Sequence, residues 1–254
     1  MTHSKSFHKL VKQRQIQIIK ASDPARRLID KTFKTSVEWV VKDYRNPVFV
    51  FEDDNFFYKA FYRDLMVNGV HFNNKKYMVD LYIKFFHNYE GDLQLNDYYT
   101  DSNCTIVQLK KLPGVPISKF KGRTNFNREQ LYDWFVEQCK QIHFAGMRCK
   151  EKYKMFRTPN HIFKGGYYFM FSDWNKDNIL YDSKTNKLHL VDLQPINWIP
   201  NDLWTCTVKS QWAELILAMA PQLKTELTRD SVINRNALSD INHLRDTLGD
   251  PYIP

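Results

Sequence analysis

The stretch from residue 171 to 195 constrains this chain more than any other. It reads Phe171-Ser-Asp-Trp-Asn-Lys-Asp-Asn-Ile-Leu-Tyr-Asp182 and resumes at Leu188-His-Leu-Val-Asp-Leu-Gln-Pro195. Ile179-Leu-Tyr181 and Leu188-His-Leu-Val191 flank a turn-forming run at 182–187, which spells a β-hairpin. Asp173 follows an apolar strand, Asn178 stands five residues later before the next strand, and Asp192 ends the hairpin. A turn that merely favours Asp and Asn accounts for 182–186. It accounts poorly for an ordered strand, Asp-x-x-x-x-Asn, strand, turn, strand, Asp. Two carboxylates and an amide at neighbouring strand ends suit a hard divalent cation such as magnesium. Magnesium takes few protein oxygens and keeps room for substrate phosphates. Asn178 and Asp192 can supply those oxygens, which leaves Asp173 to orient a hydroxyl and take its proton.

The rest of the chain supplies a frame. Val37–Val41, Val48–Phe51 and Phe56–Tyr62 are rich in β-branched and aromatic residues, and turn-like runs separate them. They are expected to form three antiparallel strands. Met78, Leu81, Tyr82, Phe85 and Tyr89 recur at helical spacing, so 74–89 reads as an amphipathic helix. A strand over 104–109 precedes the breaker cluster Leu112-Pro-Gly-Val-Pro116, a candidate boundary. A helix is expected over 127–146 with Gly146 as its stop, then a short strand over 167–171, then mostly helix, including 211–219. Residues 5–20 spell an irregular helix. Strands first and helices later indicate an α+β chain in two parts.

At this point the chain resembles the protein-kinase-like fold. That family's catalytic loop has the form His-x-Asp-x-x-x-x-Asn, and its metal-binding Asp follows in an Asp-Phe-Gly-like motif. Asp173 and Asn178 match the first. Val191-Asp-Leu-Gln194 matches the second in position, with Leu and Gln for Phe and Gly. The phrase Ser-Asp-Trp-Asn-Lys-Asp-Asn-Ile-Leu is most similar to the aminoglycoside and choline kinase branch. Leu112–Pro116 resembles that branch's inter-lobe hinge, and Phe57-Tyr-Lys-Ala-Phe61 resembles the strand whose lysine grips ATP phosphates.

The resemblance implies a bilobed fold. A basic arm or helix would span 1–34, a small antiparallel-sheet lobe 35–111, and a larger, mostly helical lobe 112–254 with a basic insertion at 147–164. It implies ATP and Mg2+ as cofactors, Asp173 as the catalytic base, and Asn178 and Asp192 as metal ligands. Lys59 would clamp the phosphates, and Leu109, Lys111 and Leu112 would contact the nucleotide at the hinge. An acid on the following helix is expected to pair with such a lysine. Asp80, the one mid-helix acid, lies opposite the apolar face and within i+4 reach of Lys84, so that role stays unassigned. The chain also departs from the family. Residues 1–68 contain no glycine, so no Gly-rich phosphate loop can lie between the first two strands.

Composition matters mainly for partners. The 254 residues carry a formal charge of +9, which divides unevenly: +7 in 1–45, 0 in 46–146, +5 in 147–164 and −3 in 165–254. The excess sits in an N-terminal arm and a block before the catalytic strand, where Tyr153, Phe156 and Phe163 are interleaved with the lysines. An anionic acceptor, an acidic protein, nucleic acid or a solvated surface all suit such blocks. No apolar run reaches the roughly 18 residues of a membrane span. The four cysteines, with no Cys-x-x-Cys pair, suit free thiols in a reducing compartment. A cytoplasmic setting, in a microbe or a virus-infected host cell, is expected. The leading reading is an ATP- and magnesium-dependent phosphotransferase acting on a hydroxyl of a small molecule, sugar or protein. Its rivals are a pseudokinase that docks a partner through the basic blocks and a plain nucleic-acid-binding domain, which leaves the 173–192 pattern unexplained.

Overall fold

The computed structural model describes residues 22–40, 48–67, 70–72, 76–150, 167–170, 174–193, 197–200 and 212–224. The expected helix at 5–20, the segment at 43–47, Asp173 and residues 151–164 of the basic insertion lie outside them. The architecture mixes helices with antiparallel sheets. The chain divides into two compact units, one made of 1–83 with 94–111 and the other of 84–93 with 112–254.

The first unit is built on a five-stranded antiparallel sheet. Its strands are β1 (Glu38–Trp39), β2 (Phe49–Glu52), β3 (Phe56–Tyr62), β6 (Leu95–Thr100) and β7 (Cys104–Lys110), in the order β1-β2-β3-β7-β6. A small hairpin of β4 (Leu65–Val67) and β5 (Val70–Phe72) follows β3. One face of the sheet presents Phe49, Phe51, Tyr58, Ala60, Cys104 and Ile106. It packs with Ala25 and Ile29 of α1 (residues 22–33) into one buried cluster. Each such aliphatic or aromatic side chain contributes roughly 1.5–3 kcal/mol on burial. The other face of β3 carries Phe57, Lys59 and Phe61. The Phe61 ring lies 5.3 Å from that of Tyr82 in α2 (Lys76–Asn88). Cover on both faces explains why β3 carries aromatic residues on both sides instead of alternating apolar with polar.

A line of polar groups crosses the α1 side of this sheet. Tyr58 sits opposite Gln108 in the β3–β7 register. Asn96 Nδ2 donates to Gln108 Oε1 at 2.6 Å, Gln108 Nε2 donates to the Tyr58 hydroxyl at 2.9 Å, and Tyr58 donates to Asp53 Oδ2 at 2.6 Å. Thr35 and the amides of Asn55 and Phe56 also donate to Asp53. Burial raises the Asp53 carboxyl, but the bonds from Tyr58, Asn55, Thr35 and Phe56 outweigh it and hold the group below its ordinary value. Burial first, then Asp53, pushes Tyr58 up to about 12.

The second unit centres on α3 (Arg128–Lys150). Its start is a capping box: Asn127 Oδ1 accepts from the Gln130 amide, and Gln130 Oε1 accepts from the Asn127 amide. Leu131, Phe135, Cys139, Ile142 and Ala145, spaced three or four apart, form its buried stripe. Trp212, Leu215, Ile216 and Met219 of α4 (residues 212–219) are buried in the same unit, with Trp212 against Phe135 and Tyr132. β8 (Val115–Pro116), β10 (Ile179–Asp182) and β11 (Lys187–Leu190) form a three-stranded sheet in the order β11-β10-β8. β9 (Tyr167–Met170) pairs with β12 (Asn197–Pro200).

Several expectations need amending. Gly146 does not stop α3, which runs on to Lys150; one glycine costs a long helix only about 1 kcal/mol. β12 falls where mostly helix was expected. The breaker cluster at 112–116 contains a strand, with Pro116 at the sheet edge, where its missing N–H costs nothing. Among the described residues no helix is long and apolar enough to cross a membrane.

Candidate functional site

The hairpin β10–β11 positions the two expected metal ligands. Its register pairs Ile179 with Leu190 and Asp182 with Lys187. The turn is closed by Asp182, which accepts from the Lys184 amide and the Thr185 hydroxyl, and by Tyr181, which donates to Asn186. At the open end the ladder continues one step further. The Val191 amide donates to the Asn178 carbonyl at 2.9 Å. Asn178 and Asp192 stand 14 residues apart in sequence, yet this bond makes them backbone neighbours. Asn178 is buried, and Asp192 is half-buried with φ of 61°. Left-handed backbone is uncommon for a residue with a Cβ, though Asp and Asn tolerate it best. The donor set, one amide oxygen and one carboxylate, consists of hard oxygens and fits magnesium. Among the described residues no group of three or more His, Cys, Asp or Glu is placed to hold a metal.

The loop leading to Asn178 is held at both ends. Trp174 is 1% exposed, and its ring packs at a tilt against Phe135 of α3, centroids 4.7 Å apart, and edge-on to Trp134. Asn175 Oδ1 accepts from the amides of Asp177 and Asn178, which folds the loop into an Asx turn. The Ser118 amide donates to the Lys176 carbonyl. From the other side β8 lies on β10, pairing Val115 with Tyr181. Gly114 makes this approach possible. Its φ is +107°, and a Cβ there would lie 2.7 Å from the Tyr181 carbonyl.

In the first unit, Lys59 is buried at 6% exposure in the central strand, opposite Val50 and Val107. Its ammonium lies 5.8 Å from the centroid of the Tyr82 ring, within cation–π range. Leu109 is buried opposite Phe57. Lys111 forms a 2.8 Å ion pair with Glu52 and lies over the Phe57 ring, and its amide donates to the Asn55 carbonyl. Leu112 is half-buried at the start of the second unit's main span. An open cleft of about 520 Å³ in the first unit is bounded by Glu38, Glu52, Asp53, Asp54 and Lys111. Four carboxylates around one lysine repel a polyphosphate, so this cleft is no place for the phosphates of ATP.

The structure therefore brings Asn178 and Asp192 together on one hairpin and places Lys59, Leu109 and Lys111 on one sheet. Sequence reasoning missed Trp174, Asn175, Gly114 and Tyr82. Asn175 was detectable, because Asn-x-Asp-Asn is an Asx-turn spelling. The packing of Trp174 on α3 and of Tyr82 under Lys59 left no local signature.

No protein-family model matches the chain, and no curated protein matches it. Solved structures that resemble it include WbdD bound to the kinase inhibitor LY294002. That pair shares 14% identity and a TM-score of 0.48, over 83% of this chain and 44% of WbdD. A second structure of WbdD, titled as a bifunctional kinase-methyltransferase, is also 14% identical, with a TM-score of 0.44, over 84% of this chain and 47% of the other. Rad53 residues 1–466 with AMP-PNP is 13% identical with a TM-score of 0.41, over 84% and 59%. The chain spans less than half the length of the WbdD structures.

Proposed function

We propose that the chain is a kinase-like phosphotransferase that moves the γ-phosphoryl group of ATP, with magnesium, to a hydroxyl group. The acceptor classes are a small molecule, a sugar or a protein. The observation that carries the proposal is the β10–β11 hairpin. It makes an amide and a carboxylate backbone neighbours at its open end, where the resemblance to the aminoglycoside and choline kinase branch puts the metal ligands. Asn178 and Asp192 would hold the ion. Asp173 would accept the proton of the acceptor hydroxyl as its oxygen bonds to phosphorus and the bond to the β-phosphate breaks, releasing ADP. Lys59 would hold the phosphates, with Leu109, Lys111 and Leu112 against the nucleotide. Bound magnesium would supply charge neutralisation at the phosphate oxygens. The protein's part is positioning and fixed charge.

Thermal stabilisation by ATP, with and without magnesium, tests this in the wild type and in Asp192→Asn. Asparagine tolerates the left-handed backbone at that position, so the variant keeps the local fold. Magnesium-dependent stabilisation lost in Asp192→Asn is the expected result. The absence of glycine from residues 1–68 favours a second reading, a kinase-fold binding protein without turnover. In that case millimolar nucleotide leaves the melting temperature unchanged, and charge reversal at Lys150, Lys152 and Lys154 weakens binding of the partner.

A further inference from the structure

His189 lies on β11, three residues before Asp192, and is 6% exposed in the sheet. Its Nδ1 lies 2.6 Å from Oδ2 of Asp92, a residue distant by 97 positions. An ionised carboxylate only accepts, so Nδ1–H donates. Among the described residues Nε2 is buried without a hydrogen-bond partner, so Asp92 is the polar anchor of the ring there. The segment that carries Asp92 is tied to α3 through its neighbours. Within this segment, 88–93, Tyr89 donates to Gln138 and Glu90 pairs with Arg148 at 2.6 Å. Gly91 lies so close to the Tyr89 ring that a Cβ would meet it at 2.2 Å, and Leu93 is 3% exposed. A connected path thus runs from α3 through 89–92 and His189 to the strand end that carries Asp192.

We infer that Asp92 and His189 are a positioning pair that fixes the open end of the β10–β11 hairpin and so sets the geometry of Asn178 and Asp192. They act through the Val191–Asn178 backbone bond. The inference rests on the phosphotransferase reading for its functional half, while its structural half can be read without any ligand. Groups that orient metal ligands from outside are typically worth 10–100-fold in metal affinity or activity. About tenfold in the magnesium-dependent part of ATP affinity is therefore expected here.

The variants are Asp92→Ala, His189→Leu and His189→Asn. Asp92 is half exposed, so its truncation spares the fold even if His189→Leu does not. The Asn amide can reach where Nδ1 lies, so His189→Asn should rescue. In metal-free protein, hydrogen exchange at the Val191 amide should quicken about tenfold in Asp92→Ala and in His189→Leu but stay near the wild-type rate in His189→Asn, with the β3 amides unchanged. Calorimetry with ATP should show affinity without magnesium preserved and the magnesium increment reduced about tenfold in Asp92→Ala. Unchanged exchange at Val191 overturns the inference, whatever the nucleotide does. Faster exchange with an intact magnesium increment overturns the positioning role and leaves the phosphotransferase reading standing. If the wild type shows no magnesium increment, that reading fails and the positioning role falls with it.

Discussion

Gly114→Ala offers the sharpest test of how the hairpin is held. The added Cβ would lie 2.7 Å from the carbonyl carbon and oxygen of Tyr181 and 2.9 Å from the Asp182 nitrogen, all backbone atoms of β10. Backbone cannot step aside as a flexible side chain can. The φ of +107° adds a conformation that L side chains avoid. Strain of that kind costs about 1–3 kcal/mol, and forcing extra volume into packed structure costs about 1–3 kcal/mol. The sum is about 2–6 kcal/mol, against a total stability of about 5–15 kcal/mol for a typical protein. Gly122→Ala is the control. Its Cβ would meet only the Phe120 ring, at 3.1 Å, with no unusual φ, so it should cost under about 1 kcal/mol. Urea unfolding followed by tryptophan fluorescence reads both, since Trp174 and Trp212 lie in the same unit. A loss below about 1 kcal/mol for Gly114→Ala would refute the close approach of β8 to β10.

Other outcomes follow from the same contacts. Trp174→Ala should cost about 3–5 kcal/mol in unfolding experiments, because it empties a buried site packed against Phe135. Asp53 has a folded pKa below its ordinary value of about 3.9, so its contribution is complete above that value and lost as pH falls through the folded pKa. Tyr58 runs the other way: its contribution is complete below about 10 and lost as pH rises to about 12. Melting temperature against pH should therefore fall at both ends, with Asp53→Asn flattening the acid limb and Tyr58→Phe the alkaline one. Asp192→Gly should be more stable than Asp192→Ala by about 1–2 kcal/mol, since both lack the carboxylate and only alanine pays for φ of 61°. Calorimetric unfolding that ranks alanine equal or higher contradicts the left-handed backbone.

Legibility in the sequence tracked how local each cause was. The β10–β11 hairpin was readable because its turn chemistry and apolar flanks lie within a dozen residues. β2, β3, α2 and β7 were readable from aromatic runs and helical spacing. β6 was not: Asn96 and Asp97 disfavour a strand and leave only Tyr98-Tyr-Thr100 as strand-forming residues, and pairing along β7 extends it. α1 falls within the arm or helix expected over 1–34, and Asp23-Pro24 before Ala25, Leu28 and Ile29 at helical spacing marks where it begins. The roles of Asn178 and Asp192 could be proposed because the turn run and its apolar flanks spell a hairpin between them and their pattern resembles the kinase-like motifs. The Asp92–His189 contact could not, since nothing within 97 residues of chain announces it.

The Tyr58–Gln108 pair has a consequence for how the first unit folds. Apolar residues on both faces of β3 and β7 would accept a slip of two positions with little loss of burial. Such a slip would set Tyr58 against Ile106 or Lys110 and strand the Gln108 amide nitrogen away from the phenol. Buried amides left without partners cost about 1–3 kcal/mol each. The pair therefore acts as a register key. It selects one alignment among several of similar greasiness, and through that choice it decides where on the far side of the sheet the Lys59 ammonium comes to rest.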